Sequence, residues 1–221
     1  MSTEHHIQVR RTARYYTLGE PGNATRDVWF VCHGYGQLAA DFIKEFEIIA
    51  DPTRVIVAPE ALSRYYLANE PGFHSSESRV VASWMTREDR EAEIDDYVAY
   101  LDAVYDETIS KVDRKNVSVT VLGFSQGGAT ANRWLTRGRS RADRLIMWGA
   151  LIASDADLNQ AATFFRDVKL TIVYGKKDQF ANDKMIEDYQ RVLVEKRIPF
   201  ELLTFGGGHR MDREILRSLV R

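Results

Sequence analysis

The stretch Val121-Leu122-Gly123-Phe124-Ser125-Gln126-Gly127-Gly128 decides how this chain reads. It joins the apolar run Val117 to Leu122 to a helix-compatible segment, Gln126 to Thr136, through a turn with glycine at two positions from a central serine on either side. A strand, a tight turn and a helix in that order explain the spacing. The backbone of such a turn is strained and tolerates only small neighbours, which Gly123 and Gly127 supply. The turn aims the Ser125 hydroxyl above the sheet and opens a helix at Gln126, where backbone donors and the helix dipole favour developing negative charge. Ser125 is thus a candidate nucleophile and the Gln126 N–H a candidate oxyanion donor. The bland reading, a glycine-flanked turn, accounts for the glycines but not for their strand-to-helix setting.

Working outward, the same alternation of elements recurs. Short runs that are almost wholly apolar occur at Val28 to Cys32, Val55 to Ala58, Leu145 to Trp148, Leu170 to Tyr174 and Phe200 to Phe205. Apolar content without polar alternation marks strands covered on both faces, and segments of helical period lie between them. The fold class expected is α/β, with a mainly parallel sheet flanked by helices. The clearest helix spans Glu88 to Ser110, with Ile94, Val98, Leu101, Tyr105 and Ile109 on one stripe and Thr86 to Asp89 as a capping sequence. Further helices are expected at Leu38 to Ala50, Asp183 to Lys196 and Arg213 to Leu219. The alternation from Ile7 to Tyr15 suits a half-exposed strand, and Glu20 to Asn23 a turn. The acids from Glu88 to Asp96 read as a solvated face rather than a cation site.

A serine hydroxyl needs a general base, and position sorts the five histidines. His5 and His6 lie in a terminus expected to fray, and His74 in an irregular segment. His209 follows Gly206-Gly207-Gly208 just past a strand, where glycines let an imidazole come over the strand ends. It is the candidate base. The orienting acid should fall between serine and histidine in chain order, and Asp178, in the loop after Leu170 to Tyr174, fits. Asp183 is a loop-compatible rival five residues on, whereas Glu187 and Asp188 sit within a helix. In His33-Gly34-Tyr35-Gly36-Gln37, two glycines let the backbone approach a substrate oxygen, which makes the Tyr35 N–H the second oxyanion donor. His33 reads as a hydrogen-bonded loop anchor rather than a second base.

In these residues the chain resembles the α/β-hydrolases of the phospholipase/carboxylesterase family, which includes acyl-protein thioesterases and small carboxylesterases. The resemblance runs from about Val28 to the C-terminus and is carried by His33-Gly34-x-Gly36, Gly123-Phe124-Ser125-Gln126-Gly127-Gly128, Gly175-x-x-Asp178 and Gly208-His209. It implies Ser125, Asp178 and His209 as a triad, with the Tyr35 and Gln126 amides as the oxyanion hole. Two departures bear on substrate. Gln37 stands where acyl-protein thioesterases typically have an acid, and those enzymes lack Ser83-Trp84-Met85. Trp84 either walls an acyl pocket, as an aromatic of the corresponding family loop does, or anchors packing ahead of the following helix.

Composition bounds the rest. A chain of 221 residues suits one α/β domain, residues 1–221, rather than two. A net charge of −2 gives no general attraction to nucleic acid or anionic lipid. The basic run Arg137, Arg139, Arg141 and Arg144 reads as a helix stop rather than a phosphate site, and Gly206 to Gly208 lacks the lysine of a nucleotide loop. One cysteine, Cys32, excludes an intramolecular disulfide and a cysteine-based zinc cluster. With no secretory leader or membrane-length apolar run, a cytoplasmic location and no membrane insertion are expected. The 19 residues from Gly149 to Asp167 are too few for a packed cap domain, so the site should be an open cleft, with the irregular stretch Glu60 to Met85 forming one wall through Tyr65, Tyr66, Phe73 and Trp84. The expectation is an ester hydrolase acting on small to medium acyl esters, with no metal or organic cofactor and with a homodimer left open. Thioesters or lysophospholipids are the alternative substrates, and a non-catalytic ligand-binding module is the rival from another class.

Overall fold

The computed structural model describes residues 2–67, 78–153 and 162–220. Seven strands form one sheet in the order β1-β3-β2-β6-β7-β8-β9. They are β1 (Tyr15–Leu18), β2 (Asp27–Cys32), β3 (Arg54–Pro59), β6 (Ser118–Phe124), β7 (Arg144–Trp148), β8 (Lys169–Gly175) and β9 (Phe200–Phe205). Only β1 is antiparallel to its neighbour. The mainly parallel α/β sheet expected from the apolar runs is therefore present, each run lying within a strand except that Val117 precedes β6.

Every interior strand is buried on both faces, so alternate residues feed two cores. Phe30, Val121 and Met147 face a layer containing α2 (Arg90–Ile109), α3 (Gln126–Arg137) and α4 (Asp183–Glu195). Trp29, Leu122 and Ile146 face the opposite layer, with Phe42, Phe46 and Leu216. That second layer is built from α1 (Ala39–Phe42), a 3₁₀ helix (Ile43–Ile49) and α5 (Arg213–Ser218). The parallel register pairs Cys32 with Gly123, Phe124 with Trp148 and Gly175 with Phe205. The loops that follow β2, β6, β7, β8 and β9 consequently leave the sheet along one edge, where ligands of open α/β sheets bind.

Four expectations need correction. The Ile7 to Tyr15 alternation is not a strand: residues 2–14 have no regular secondary structure, with Ile7 88% and Val9 78% exposed, and the strand ladder starts only at Tyr15. Leu38 to Ala50 is a single α-helical turn continued as a 3₁₀ helix rather than one α-helix. The region from Glu60 to Met85, read as irregular, contains a second sheet of β4 (Ser63–Tyr66) and β5 (Val80–Ser83). The cap of α2 is Asp89, in a left-handed conformation without a side-chain cap bond, while the Thr86 hydroxyl accepts from the Glu88 N–H instead. His74 and Phe73 lie outside the described residues.

Candidate active site

Ser125 links β6 to α3 with φ 53° and ψ −121°, a conformation that costs an L-residue energy and needs support from its surroundings. The Ser125 N–H donates to the Trp148 carbonyl at 2.8 Å, and its own carbonyl accepts from Gly128 at 2.9 Å. The flanking glycines are demanded by close approach. A Cβ on Gly123 would lie 2.1 Å from the Gly127 carbonyl oxygen, and one on Gly127 would lie 2.2 Å from that of Cys32. The turn is thus wedged between its own strand and the end of β2.

His209 reaches this turn from the far side of the sheet. Its loop is tied to the end of β8 by Lys176 N–H to Phe205 O at 2.8 Å and Lys177 N–H to Gly207 O at 2.9 Å. The imidazole packs between Phe124, the residue before Ser125, at 4.9 Å and Phe180 at 4.8 Å. Gly149, at the end of β7, has no side chain to intrude: a Cβ there would come within 2.9 Å of His209 Cε1. Nδ1 of His209 lies 2.7 Å from Oδ2 of Asp178, whose side chain is 1% exposed. A carboxylate can only accept, so in this contact Nδ1 is the donor. The second carboxylate oxygen accepts from the Phe180 N–H at 2.8 Å, which fixes the acid as well. Of the two candidate acids, it is Asp178 that meets His209; Asp183 accepts from the Tyr174 hydroxyl at 3.2 Å.

The loop after β2 supplies the remaining donors. The N–H of Gly34 is bound by Gln37 Oε1 at 2.7 Å, that of Gly36 by the Ala82 carbonyl at 3.0 Å, and that of Gln37 by the Gly34 carbonyl. The Tyr35 N–H is the one amide of residues 34–37 without a partner among the described residues. Gln126 opens α3, where the first amides have no partner within the helix.

His33 is fully buried. Nδ1 donates to the Gly34 carbonyl at 2.8 Å and Nε2 accepts from the Ala61 N–H at 3.1 Å. Burial lowers its pKa against the opposing effects of the Gly34 carbonyl and the Glu60 charge, so it is a neutral loop anchor. Cys32, beside it, is also buried, and burial alone pushes its thiol up to about 12, which leaves no thiolate to act as a nucleophile.

Trp84 is not a pocket wall. It is 1% exposed, its indole N–H donates to the His33 carbonyl at 2.8 Å, and its ring packs on His33 and Tyr97. Of its two sequence readings, packing anchor is the one its position supports. The apolar space lies elsewhere, in a cavity of about 240 Å³ beside His209, between β8 and α4, lined by residues that include Gly149, Leu151, Ile172, Phe180, Met185 and Ile186. Sequence reasoning passed over Phe180 and Met185, whose only signal is an apolar side chain in and just after an otherwise polar loop. The basic run is absorbed by partners: Arg137 pairs with Glu91, Arg139 with Asp106, Arg141 with carbonyls of its own turn, and Arg144 with the Leu219 carbonyl. Among the described residues one group could offer three metal-ligating atoms, Glu4, His6 and Asp89, all on the exposed surface. No described helix is long and apolar enough to cross a membrane.

Comparison with known proteins matches the chain to one family. The model of a family described as Phospholipase/Carboxylesterase fits residues 15–221. Curated proteins provide no match. Among solved structures, esterase PE8 superposes with a TM-score of 0.68 at 19% identity, covering 95% of this chain and 96% of that one. Acyl-protein thioesterase 2 of Zea mays gives 0.67 at 17% identity, over 95% and 98% of the two chains. A carboxylesterase from Mesorhizobium loti gives 0.67 at 16%, over 94% of each. At such identities these structures speak for the fold.

Proposed function

Since the chain belongs to the phospholipase/carboxylesterase family, we propose that it is a serine carboxylesterase that cleaves small to medium acyl esters through an acyl-enzyme. In this reading Ser125 Oγ attacks the ester carbonyl carbon as its proton passes to Nε2 of His209. Asp178 holds the ring by its Nδ1–H and stabilises the imidazolium that forms. The carbonyl electron pair moves onto oxygen, which the Tyr35 and Gln126 N–H groups receive. The bond to the alcohol then breaks, its electrons leave with the alkoxide oxygen, and His209 returns the proton to it. Water repeats the sequence on the Ser125 ester with the same histidine as base, releasing the acid and restoring the serine. A lone, buried Cys32 fits action in a reducing compartment such as the cytoplasm.

The observation that carries this reading is the 2.7 Å contact of His209 Nδ1 with Asp178, made while the ring rests on Phe124 beside the strained Ser125. A binding module of the same fold would need none of these three groups together. Covalent labelling tests it: a fluorophosphonate should form one adduct, located on Ser125 by mass spectrometry. Ser125→Ala should remain folded, take no label and lose up to about a millionfold in kcat. An adduct on another residue overturns the assignment. Parallel rates on matched oxoesters, thioesters and lysophospholipids then rank the substrate classes, and a clear preference for either of the latter two would displace the carboxylesterase assignment within the family.

A further inference from the structure

We propose that residues 82–85 form a brace that sets the spacing of the oxyanion hole, with Trp84 and the side chain of Gln126 as its positioning residues. The inference rests on the esterase reading above. The two donor amides belong to separate loops, one after β2 and one at the start of α3, so something must hold those loops in register. Residues 82–85 are bonded to both.

On the first loop, the Gly36 N–H donates to the Ala82 carbonyl at 3.0 Å and the Ala82 N–H to the Gln37 carbonyl at 3.1 Å. The Trp84 indole adds its bond to the His33 carbonyl at 2.8 Å. On the second, Oε1 of Gln126 accepts from the Trp84 N–H at 3.0 Å, while Nε2 donates to the Met85 carbonyl at 2.8 Å and to the Ser83 hydroxyl at 3.2 Å. The residue whose backbone N–H faces the substrate is therefore clamped through its own side chain. Ala82, Ser83 and Trp84 are at most 1% exposed, which shields their side of these bonds from competing water, while Gln126 and Met85 are half-buried.

Filling the same space with an apolar side chain of similar volume would leave the buried Trp84 N–H unpaired, so Gln126 does more than occupy volume. What the polar clamp adds is a defined position. Losing one oxyanion donor costs about 10²–10³ in kcat, and a displacement of about 1 Å can cost about 10². The loss falls on kcat because the tetrahedral oxygen, more than the ground-state carbonyl, occupies the hole.

Gln126→Met and Trp84→Phe, which keep most of the packing and delete the polar links, test the brace. For each, kcat and KM on p-nitrophenyl butyrate are measured per active site titrated with fluorophosphonate, together with the Ki of a trifluoromethyl ketone. Such a ketone forms a tetrahedral oxyanion adduct on the serine. The expected result is a fall in kcat per site of about 10- to 100-fold, KM within about threefold of wild type, and a Ki raised by the same factor as kcat falls. A merely structural role would lower the melting temperature or the titrated fraction and leave kcat per site and Ki unchanged; that result overturns the brace. Should Gln126→Met fail to fold, Trp84→Phe carries the test, since it removes one N–H from a ring that keeps most of its contacts. An active wild type with unaffected variants removes the brace alone, whereas a wild type neither labelled nor active removes the esterase reading with it.

Discussion

His33 shows how a residue can resemble catalytic machinery and instead support it. Both ring nitrogens are consumed by backbone partners, and burial is the larger influence on its pKa, which lies below the ordinary histidine value. The sign of its effect on stability follows. The unfolded chain binds a proton here at about pH 6.5, and the folded chain only at a lower pH. Stability is therefore whole above that pH and falls as acid protonates the unfolded state first. Denaturant unfolding at steps from pH 7.5 to 5 should show this loss, with a slope of up to about 1.4 kcal/mol per pH unit from this one group. In His33→Asn, whose amide keeps one donor and one acceptor, the slope should shrink by that share. An identical slope in the variant would show that His33 is protonated inside the fold. Among the candidate residues, Ser125, Asp178 and His209 were legible because each sits at the end of an apolar run, where chain order and strand geometry limit the options. The clamp on Gln126 was not, since nothing near position 126 marks residues 83–85 as its partners.

Between elements, the pairing of α2 with α3 turns on one buried acid. Asp102, on α2, accepts from the Trp134 indole at 2.9 Å, from the Arg139 and Ser140 amides at 3.0 and 3.1 Å, and from the Ser140 hydroxyl at 2.6 Å. It ends α3 from a neighbouring helix by holding the amides of the turn after Arg137. Burial opposes its charge, yet the bonds from Ser140, Arg139 and Trp134 outweigh that and lower its pKa. Asp102→Asn should reduce unfolding free energy by about 2–3 kcal/mol, because the amide turns an NH₂ group toward existing donors. Labelling of Ser125 below the melting transition should persist, and a variant as stable as wild type would refute the role. The helical stripe of α2 was readable from its apolar spacing. The 3₁₀ continuation at Ile43–Ile49 and the β4–β5 ribbon were not, because short elements follow the surface they pack on rather than their own periodicity.

For the whole molecule, the parallel register gathers loops from five strands at one edge, and the substrate must fit what those loops leave open. On the esterase reading proposed above, the acyl group would enter the cavity of about 240 Å³ lined by Gly149, Phe180 and Met185, since Trp84 is buried. With only the 20 residues 149–168 between β7 and β8, the described residues include no large cap to close over it. The cavity can desolvate a few methylenes, each worth about 0.8 kcal/mol or roughly fourfold in rate. Along a series of p-nitrophenyl esters, kcat/KM should rise over the first few acyl carbons and then level or decline, with no jump at the micelle threshold. A steady rise to long chains would point to a longer channel and to lysophospholipid-like substrates. The sequence by itself determined the sheet, its burial on both faces and which serine, acid and histidine fall at strand ends, because apolar runs and glycine-flanked turns are local signals tied to backbone geometry. Only the tertiary structure decided that Trp84 is an anchor, that Gln126 is held by residues 83–85 and that the apolar cavity opens between β8 and α4. Those outcomes depend on strand order and on contacts between segments far apart in the chain, which no local pattern encodes.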